Sequence, residues 1–457
     1  MTASDVEPIS ARAARLSLVL LLALNLLNYI DRYVLAAVEP VIRETFFAPD
    51  TTIGSSAPAR EQLTAAMAKT GSLATAFLLS YMLAAPIFGM LADRMSRWVL
   101  VGLAVAVWTL ASGASGLVPT FSLLVLTRCF VGIGEAGYGP AAPAMISELY
   151  PMERRGRMLA WFYMAIPVGS AVGYALGGTV SERWGWRTPF LLVVPPGLLL
   201  AGCCFLMTAP RRPVAAATPR PRATLEDYRG LLKIPSYVLG TLGMAAMTFA
   251  AGGFAFWMPA YLHDAAHAGD LATVNTRFGL ITVVAGIAAT LLGGWLGDLL
   301  RRYTSGAYFV VSAAGMIASA LCVLLMVHSA DGRLVPHGAP PGASSLLWVW
   351  IFWAVFFLFL NTGPSNAILA NVTRPSVRAN AFALNIFIIH ALGDAISPPL
   401  LGAVAGRSWN AALYLVCGTM VLSGVLWFCG VGFLGRDTDR VELRSHESAG
   451  TCSADGP

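Results

Sequence analysis

The sequence predicts an all-α membrane protein in which twelve transmembrane helices form two pseudo-symmetric six-helix bundles. Three observations carry this prediction: a scarcity of charge, a succession of long apolar runs, and a short charged segment that occurs twice. Of the 457 residues, 57% are hydrophobic and 12% carry a charge, about half the charged share of roughly 25% in soluble globular domains. Too few charges remain to cover a water-exposed surface, so the composition excludes a soluble fold.

Long apolar runs recur along the chain. Each has about 20 residues, enough for a helix to cross roughly 30 Å of hydrocarbon. They predict spans over 16–42, 66–92, 98–117, 121–147, 157–180, 188–208, 236–262, 277–300, 304–328, 345–370, 378–402 and 409–434. The chain is therefore expected to be an integral membrane protein. The sequence contains no basic stripe or recognition motif, so we expect no nucleic-acid partner, and we expect no cofactor and no bound metal.

Polar segments divide this apolar pattern. A stretch rich in Pro and Arg follows the sixth span, and a second polar stretch follows the twelfth. They predict a cytoplasmic amino terminus, a first six-helix bundle, a cytoplasmic linker, a second six-helix bundle and a disordered cytoplasmic tail, over 1–15, 16–208, 209–235, 236–434 and 435–457. We expect a long external loop over 43–66.

The short charged segment occurs six spans apart. Gly89 to Arg97 follows the second span and Gly293 to Arg302 follows the eighth, with the same order of Gly, Asp and Arg. This recurrence indicates two bundles related by duplication. Asp and Arg in a tight loop can hold neighbouring helix ends together. We therefore predict a cytoplasmic gate built from both copies, with the residues Asp93, Arg94, Arg97, Asp298, Arg301 and Arg302.

The distribution of positive charge predicts the orientation. With the amino terminus inside, cytoplasmic segments hold 20 of the 30 Lys and Arg residues and external segments hold 8. Cytoplasmic loops carry an excess of Lys and Arg, so both termini are expected in the cytoplasm. The first apolar run lacks a small-residue cleavage site and is expected to stay as a helix. Arg dominance and abundant Ala are typical of a GC-rich bacterial genome, so we expect a protein of a bacterial inner membrane. We expect it to be a monomer.

Ionisable residues inside the spans are the sharpest functional signal, because each is costly in hydrocarbon unless it is paired or hydrated. The first span holds Asp31 and Arg32, and the fourth holds Arg128 and Glu135. At about 1.5 Å per residue along two antiparallel helices, Asp31 and Arg128 reach similar depths. The four residues are therefore predicted to form one buried network of two acids and two bases.

Such a network can couple proton movement to conformation. A buried carboxylate favours its protonated form, whereas an adjacent guanidinium favours the charged form. Asp31 and Glu135 are therefore candidate proton-coupling acids. Arg32 and Arg128 are candidate ligands for an anionic headgroup, whose arrival would release the acids. A packing latch with no transport chemistry is the alternative interpretation.

A second titratable pair lies in the eleventh span. His390 and Asp394 are one helical turn apart, so they can hydrogen-bond and titrate near neutral pH. We include both among the proton-coupling candidates. A purely structural hydrogen bond in the second bundle is an equally good interpretation.

Aromatic residues extend the candidate site. Those of the seventh and tenth spans could line an apolar chamber opposite the charged network, and a cavity that is polar on one side and apolar on the other suits an amphiphile. The candidate substrate ligands beside Arg32 and Arg128 are Asn28, Tyr29, Tyr138, Phe254, Trp257 and Phe356.

Glycine patterns in the fourth and fifth spans indicate close packing. Gly132 to Gly137 fits G-x-G-x-x-G, but dinucleotide binding would require a preceding strand in a βαβ unit. Inside a membrane helix, small residues let neighbouring backbones approach. Gly169, Gly173, Gly177 and Gly178 predict a contact face in the fifth span, which we place at the interface of the two halves.

Longer motifs resemble a known family. Twelve spans, a basic linker and the duplicated Gly-Asp-Arg loop resemble the major facilitator superfamily. The chain is similar to the spinster family within it, through the segments Asn28–Tyr33, Arg128–Ala136, Tyr150-Pro151, Arg155-Gly156-Arg157, Ile166-Pro167, Gly173-Tyr174, Gly185-Trp186-Arg187, Phe256–Pro259 and His390–Pro398. The resemblance covers all twelve predicted helices.

The resemblance implies a major facilitator fold and a function. Spinster proteins are implicated in moving sphingosine-1-phosphate and lysophospholipids, with proton coupling proposed. We therefore expect a proton-coupled secondary transporter of amphiphilic lysolipids that works by rocker-switch alternating access, with lipid, protons and the bilayer as its partners. An exporter of small organic anions or drugs is the first alternative. A membrane-embedded lipid enzyme and a ligand-sensing receptor are the others, and the sequence shows no nucleophile–base or metal constellation that would favour the enzyme.

Overall fold

The computed structural model describes residues 11–48, 59–207, 224–330, 345–374 and 377–454. Every regular element within these ranges is helical. The helices are α1 (Ala11–Phe47), α2 (Ala59–Arg94), α3 (Arg97–Ser115), α4 (Phe121–Tyr138), α5 (Ala141–Leu149), α6 (Met152–Tyr163), α7 (Ala165–Trp184), α8 (Thr188–Leu192), α9 (Val194–Leu206), α10 (Leu225–Leu232), α11 (Pro235–Ala260), α12 (Leu271–Leu300), α13 (Ala307–Ala330), α14 (Ser345–Phe359), α15 (Thr362–Val372), α16 (Arg378–Ile389), α17 (Ser397–Ala405) and α18 (Trp409–Ala454), with π-helical turns at Tyr261–Ala265 and His390–Asp394.

The predicted spans are confirmed. In the described part of the chain, twelve helical stretches are long and apolar enough to cross a membrane, and each coincides with one predicted span. They cover Arg12–Phe47, Ala59–Ala92, Arg97–Ser115, Phe121–Leu149, Arg154–Trp184, Thr188–Leu206, Pro235–Ala265, Leu271–Leu300, Ala307–Ala330, Ser345–Val372, Asn380–Ala405 and Trp409–Val441.

Proline explains why several spans consist of two helices. Proline has no N–H to donate to the carbonyl four residues earlier, and its ring crowds that carbonyl. Pro167 lies four residues after Tyr163, where α6 ends, and Pro364 lies four residues after Leu360, at the break between α14 and α15. The breaks expose backbone carbonyls inside the bundle, where side chains of other helices can bind them.

The described residues form two compact units. The first comprises the described residues up to Met207 together with Ala255–Val283 and Pro398–Arg407. The second comprises Thr224–Phe254, Val284–Ser397 and the described residues from Ser408 onward. Each unit draws on both halves of the chain, so the domain boundaries at 16–208 and 236–434 stay a prediction.

In the first unit, α1 packs along α7, and α4 packs between α2 and α3. Its core contains Trp98 and Trp108 of α3 and Tyr138 of α4, all fully buried. The predicted glycine face on α7 mostly contacts α1: Gly169, Gly173 and Gly177 lie against residues 26–37 of that helix. The interface placement is therefore wrong for these three glycines. Gly178, on the neighbouring face of the helix, packs against α12.

In the second unit, α13 packs against α14, α15 and α18. Trp427 of α18 is fully buried, and its indole Nε1 donates to the carbonyl of Gly240 in α11 at 3.2 Å. Ser423, one turn earlier, donates to the carbonyl of Gly243 at 2.7 Å. Side-chain bonds to backbone carbonyls thus join α18 to α11.

The linker contains a helix that the sequence prediction missed. Residues 208–223 lie outside the described part, but α10 begins at Leu225. The side chain of Thr224 accepts the N–H of Asp227, and Asp227 accepts the N–H of Thr224, a reciprocal capping arrangement that satisfies two helix-end donors. The T-x-x-D spacing was the available signal. The Asp227 carboxylate accepts hydrogen bonds from the backbone N–H and from the hydroxyl of Thr224, and both lower its pKa, the backbone bond most.

Two other segments differ from expectation. The external loop predicted over 43–66 is shorter, because α1 continues to Phe47 and α2 begins at Ala59, while 49–58 lie outside the described residues. The tail expected to be disordered from 435 continues α18 as far as Ala454. One physical reason is that Asp437 accepts the N–H of Ser236, at the start of α11, at 3.1 Å and lies 3.9 Å from Arg440, one turn away in α18.

Candidate substrate and proton site

An ion pair between α1 and α4 forms the centre of the candidate site. Arg32 donates through Nε to Oε2 of Glu135 at 2.7 Å, and its Nη2 lies 2.5 Å from the same oxygen. The glutamate side chain is 1% exposed, whereas the arginine side chain is 27% exposed. A fully buried acid is thus neutralised by a cation that keeps partial access to its surroundings.

Aromatic rings surround the exposed part of Arg32. The guanidinium carbon lies 4.8 Å from the ring centre of Phe77, 5.4 Å from that of Tyr29 and 5.9 Å from that of Tyr81. Cations are attracted to ring faces at such distances. The sequence prediction included Tyr29 but missed Phe77 and Tyr81, because α2 carries no charge at this depth to draw attention to it.

Asp31 and Arg128 lie beside this pair but contact α3 instead. Ser112 donates to Oδ1 of Asp31, and Arg128 donates to the hydroxyl of Ser115. Both charged residues are almost fully buried. The predicted four-residue network is therefore one direct ion pair plus two charges held by serines. Ser112 and Ser115, three residues apart on one face of α3, were missed, although their spacing in an apolar span was a visible signal.

Two buried charged side chains here have a polar atom without a hydrogen-bond partner among the described residues. They are Oδ2 of Asp31 and Nε of Arg128, whereas Asn28 interacts with the carboxylate of Glu135. Unpaired buried polar atoms are costly, and they tend to mark functional positions. The site therefore has spare capacity to bind a proton or a polar group.

Glycines position the glutamate. A Cβ on Gly132 would collide with the backbone carbonyl of Phe77 in α2, and a Cβ on Gly134 would lie 2.6 Å from the backbone nitrogen of Trp108 in α3. The G-x-G run thus lets α4 approach two helices at once, as its interpretation as a packing motif predicted. The same approach brings Phe77 over Arg32.

Tyr138 lies in the core. It is 2% exposed, and its hydroxyl donates to the carbonyl of Leu21 at 2.7 Å. Its ring contacts Trp108 and Phe162. Its hydroxyl is thus engaged by backbone, and we leave it out of the functional proposal below.

The second half of the chain holds the remaining candidate residues. His390 Nδ1 is 2.9 Å from Oδ1 of Asp394 within the π-helical turn, and both side chains are about one-fifth exposed. Phe254 and Trp257 are buried, and the indole Nε1 of Trp257 donates to the carbonyl of Pro398 at 2.8 Å. Phe356 is half-buried.

The predicted gate residues lie at helix ends. Arg97 pairs with Glu148 at the end of α5, with 2.6 Å between Nη1 and Oε2. Asp298 accepts the hydroxyl of Tyr308 at 2.8 Å. Arg94, Arg301 and Arg302 are exposed, and the side chain of Asp93 lies outside the described part. Glu148 and Tyr308 are the partners that the sequence prediction missed.

A bundle of apolar membrane-crossing helices with a charged cluster buried among them is the architecture of a secondary transporter. Residues 21–398 match the Major Facilitator Superfamily. Protein spinster homolog 1 of Bos taurus is 34% identical over 481 residues, covering 96% of this chain and 84% of that protein. The Sphingosine-1-phosphate transporter SPNS2 of Xenopus tropicalis is 32% identical, covering 92% of this chain and 82% of that one.

A solved structure shows the same fold. The crystal structure of a bacterial homolog to the human lysosomal transporter spinster, in an inward-facing and unoccupied conformation, matches with a TM-score of 0.69 at 20% identity, covering 95% of this chain and 99% of that one. The chain therefore belongs to the major facilitator superfamily and, within it, to the spinster family. It is a secondary transporter and not an enzyme.

Proposed function

We propose that this protein is a proton-coupled transporter of amphiphilic lysolipids with an anionic headgroup, of the sphingosine-1-phosphate or lysophospholipid class. The observation that carries the proposal is the Arg32–Glu135 pair, in which the cation is partly exposed among three aromatic rings and the acid is buried. The similarity to a relative named as a sphingosine-1-phosphate transporter supports this substrate class.

Headgroup binding at Arg32 has a direct consequence for Glu135. A phosphate on the guanidinium would take over the donors that now serve the glutamate, since Arg binds phosphate and carboxylate through the same planar fork. A buried charge left without its partner is strongly destabilising. Glu135 then favours a proton, so lipid and proton bind together at this site.

Asp31 and Arg128 form the second charged pair of the proposed site. Arg128 lies over the ring of Phe190 at 5.1 Å and close enough to Asp31 for electrostatic attraction, with the serines of α3 holding both side chains. We propose that Asp31 shares the proton-coupling role. The positive charge of Arg128 would then keep the Asp31 carboxylate in its position. His390 and Asp394 of the second unit are proposed as a further pair that takes part in proton coupling.

The transport cycle proposed is alternating access by rocking of two bundles about a midplane site. We propose that both termini lie in the cytoplasm, because the corresponding loops carry an excess of Lys and Arg. Asp93, Arg94, Arg97, Asp298, Arg301 and Arg302 then lie at the cytoplasmic side as gate residues. We propose a bacterial inner membrane as the location and a monomer as the working form.

Lipid binding as a function of pH tests the proposal. Affinity of the purified protein for sphingosine-1-phosphate should rise as pH falls, by up to about tenfold per pH unit where one proton is taken up. Glu135→Gln should bind lipid with little pH dependence, because the amide mimics the protonated acid. Glu61→Gln, an exposed acid of α2, is the matched control and should behave as the unaltered protein.

The alternative substrate class is separated by competition. Glycerol 3-phosphate offers the same charge without an acyl chain, so it should compete poorly if the aromatic surroundings of Arg32 bind lipid. Equal competition by the short phosphate would instead favour a transporter of small organic anions. Unchanged pH dependence in both Glu135→Gln and Asp31→Asn would contradict the proton coupling.

A further inference from the structure

A second buried charged cluster lies in the first unit, away from the site described above. It joins α1, α2 and the π-helical turn that follows α11. Arg43 of α1 pairs with Asp264 of that turn, and its Nε lies 3.5 Å from Oε1 of Glu39, one turn earlier in α1. Thr70 of α2 donates to the same oxygen of Glu39 at 2.6 Å. We call Glu39, Arg43, Thr70 and Asp264 the distal cluster.

The distal cluster contains two acids and one cation. Arg43 is the cation that contacts both Glu39 and Asp264, so the cluster carries a net negative charge. Glu39 is 1% exposed, and its Oε2 has no hydrogen-bond partner among the described residues. A fully buried carboxylate with half of its hydrogen-bonding capacity unused has a place for a proton.

Other charged groups nearby are engaged elsewhere or exposed. Glu44 of α1 is exposed and adds negative charge. Lys69 of α2 lies over the ring of Phe47, and His263 of the π-helical turn contacts the carbonyl of Gly269. On α7, which packs along α1, Glu182 accepts the N–H of Ala272 at 2.7 Å. None of these interactions supplies a second cation to Glu39.

The same end of the first unit is joined by contacts that would have to break together. Tyr174 of α7 donates to the carbonyl of Ala255 at 2.6 Å, a carbonyl freed because Pro259 has no N–H to bond it. Asn275 of α12 donates to the carbonyl of Ala37 at 3.2 Å. Separation of the segment Ala255–Val283 from α1 would therefore also remove Asp264 from Arg43.

We propose that Glu39 is a proton-binding carboxylate of the external gate, which holds a proton while Asp264 is paired with Arg43 and releases it when that pair breaks. The inference rests on the proposed function for its orientation and for alternating access. With the gate closed, two acids share one cation and a proton neutralises the excess charge. With the gate open, Arg43 serves Glu39 alone and the proton is no longer needed. Acid conditions therefore favour the closed gate.

A cysteine at Ser181 reports on this gate. Ser181 of α7 is buried, and it lies three residues after Gly178, which packs against α12. We would measure the rate of reaction of Ser181→Cys with a membrane-impermeant maleimide, after subtracting the rate of the native cysteines. Dividing by the rate of Arg183→Cys, at an exposed position, removes the pH dependence of the thiol reaction.

The expected ratio falls on acidification by at least about fivefold, the lower end of common coupling strengths. Glu39→Gln should give a ratio that is low at every pH, because the neutral amide needs no proton. Asp264→Asn should give a ratio that is high at every pH, because the pair is lost and so is the excess charge. Thr70→Val removes a hydrogen-bond donor to the charged form of Glu39. The midpoint of the plot of the labelling ratio against pH should therefore shift to higher pH.

Two results would overturn the inference. One is an unaltered pH profile in Glu39→Gln, and the other is a high ratio in that variant, which would indicate structural loosening. Glu135→Gln, measured without lipid, separates the two proposals, since it should keep the pH dependence of the gate and lose that of lipid binding. A pH-dependent gate in a protein that binds no lysolipid would defeat the proposed substrate and leave Glu39 as the gate acid.

Discussion

Arg32 of α1 and Glu135 of α4 form an ion pair whose two members differ sharply in exposure: 27% for the arginine side chain and 1% for the glutamate. The donor–acceptor distance from Nε to Oε2 is 2.7 Å. The exposed member can change partners without leaving its position, whereas the buried member cannot reach water. An incoming anion therefore acts on the arginine, and the response falls on the glutamate.

Arg32→Lys should bind sphingosine-1-phosphate roughly tenfold more weakly than the unaltered protein, because a lysine keeps the charge but loses the planar fork and the ring contacts. Arg32→Gln should lose binding altogether and leave Glu135 without a cation. Titration calorimetry in detergent measures both affinities. Equal affinity of the lysine variant and the unaltered protein would show that only the point charge matters.

Ser112→Ala should lower the stability of the folded protein by about 1–3 kcal/mol, since it removes the hydrogen bond to a buried aspartate. The control is Ser170→Ala, because the hydroxyl of Ser170 bonds the carbonyl of Ile166 in its own helix and its loss should cost less. Thermal unfolding followed by tryptophan fluorescence compares the two. A smaller loss in Ser112→Ala than in Ser170→Ala would show that Asp31 does not depend on that serine.

Gly132→Ala should destabilise the protein by about 1–3 kcal/mol through overpacking and should also weaken lipid binding, because the added methyl group would push Phe77 away from Arg32. Gly202→Ala is the matched change: a Cβ there meets nothing within 4 Å, so it should be neutral or stabilising by roughly 0.5–1 kcal/mol. The melting temperature and the lipid affinity of each variant decide between packing and site effects. An unchanged lipid affinity in Gly132→Ala would show that the close packing at Gly132 is not needed for lipid binding.

The helical spans and the central charges could be predicted from the sequence because hydrocarbon makes each signal strong. A run of about 20 apolar residues has few alternatives to a membrane helix, and a charge within it must be paired or hydrated. Arg32 and Glu135 were assigned to one network on that basis, and the structure joins them directly. Asp437 shows the limit, because the tail that contains it looks polar, yet it binds the start of α11.

The partners of the charged residues could not be predicted in the same way. Ser112 and Phe77 are ordinary residues for a membrane helix, and which face of α2 or α3 meets α4 depends on side-chain packing between helices. Proline adds a further effect that local patterns do not contain: the carbonyl of Ala255 is freed by Pro259 and is then bound by Tyr174, which is 81 residues away. Glu39 was passed over because it lies near the end of a span, where charge is common.

Asp227→Asn should fray α10, since the carboxylate accepts the N–H of Thr224. The pKa of Asp227 is lowered from its model-peptide value of 3.8 by hydrogen bonds from Thr224, so the charged form stabilises the helix. That stabilisation is complete above the unfolded pKa and is lost as pH falls through the lowered folded value. In the unaltered protein, the rate of amide hydrogen exchange over 225–232, corrected for intrinsic rates, should be constant from neutral pH down to about 4 and should increase below that pH. Glu226→Gln, in the same turn, is the control.

His390 and Asp394 allow a decisive comparison between a titrating and a structural role. The pair closes a π-helical turn in which Gly393 departs from helical geometry, with φ −103° and ψ −105°, and such turns are frequent at functional sites. If the pair takes part in proton coupling, His390→Gln should flatten the pH profile of lipid flux and should leave the melting temperature nearly unchanged.

A structural pair would behave in the opposite way. His390→Gln can still donate to Asp394, so flux would keep its pH profile, whereas Asp394→Asn would lower the melting temperature through the lost charge-assisted bond. Flux of sphingosine-1-phosphate into proteoliposomes, measured at matched internal and external pH, removes any contribution from a proton gradient. A flattened profile in both variants with intact melting curves would place the pair among the proton-coupling groups, and an unaltered profile in both would exclude it.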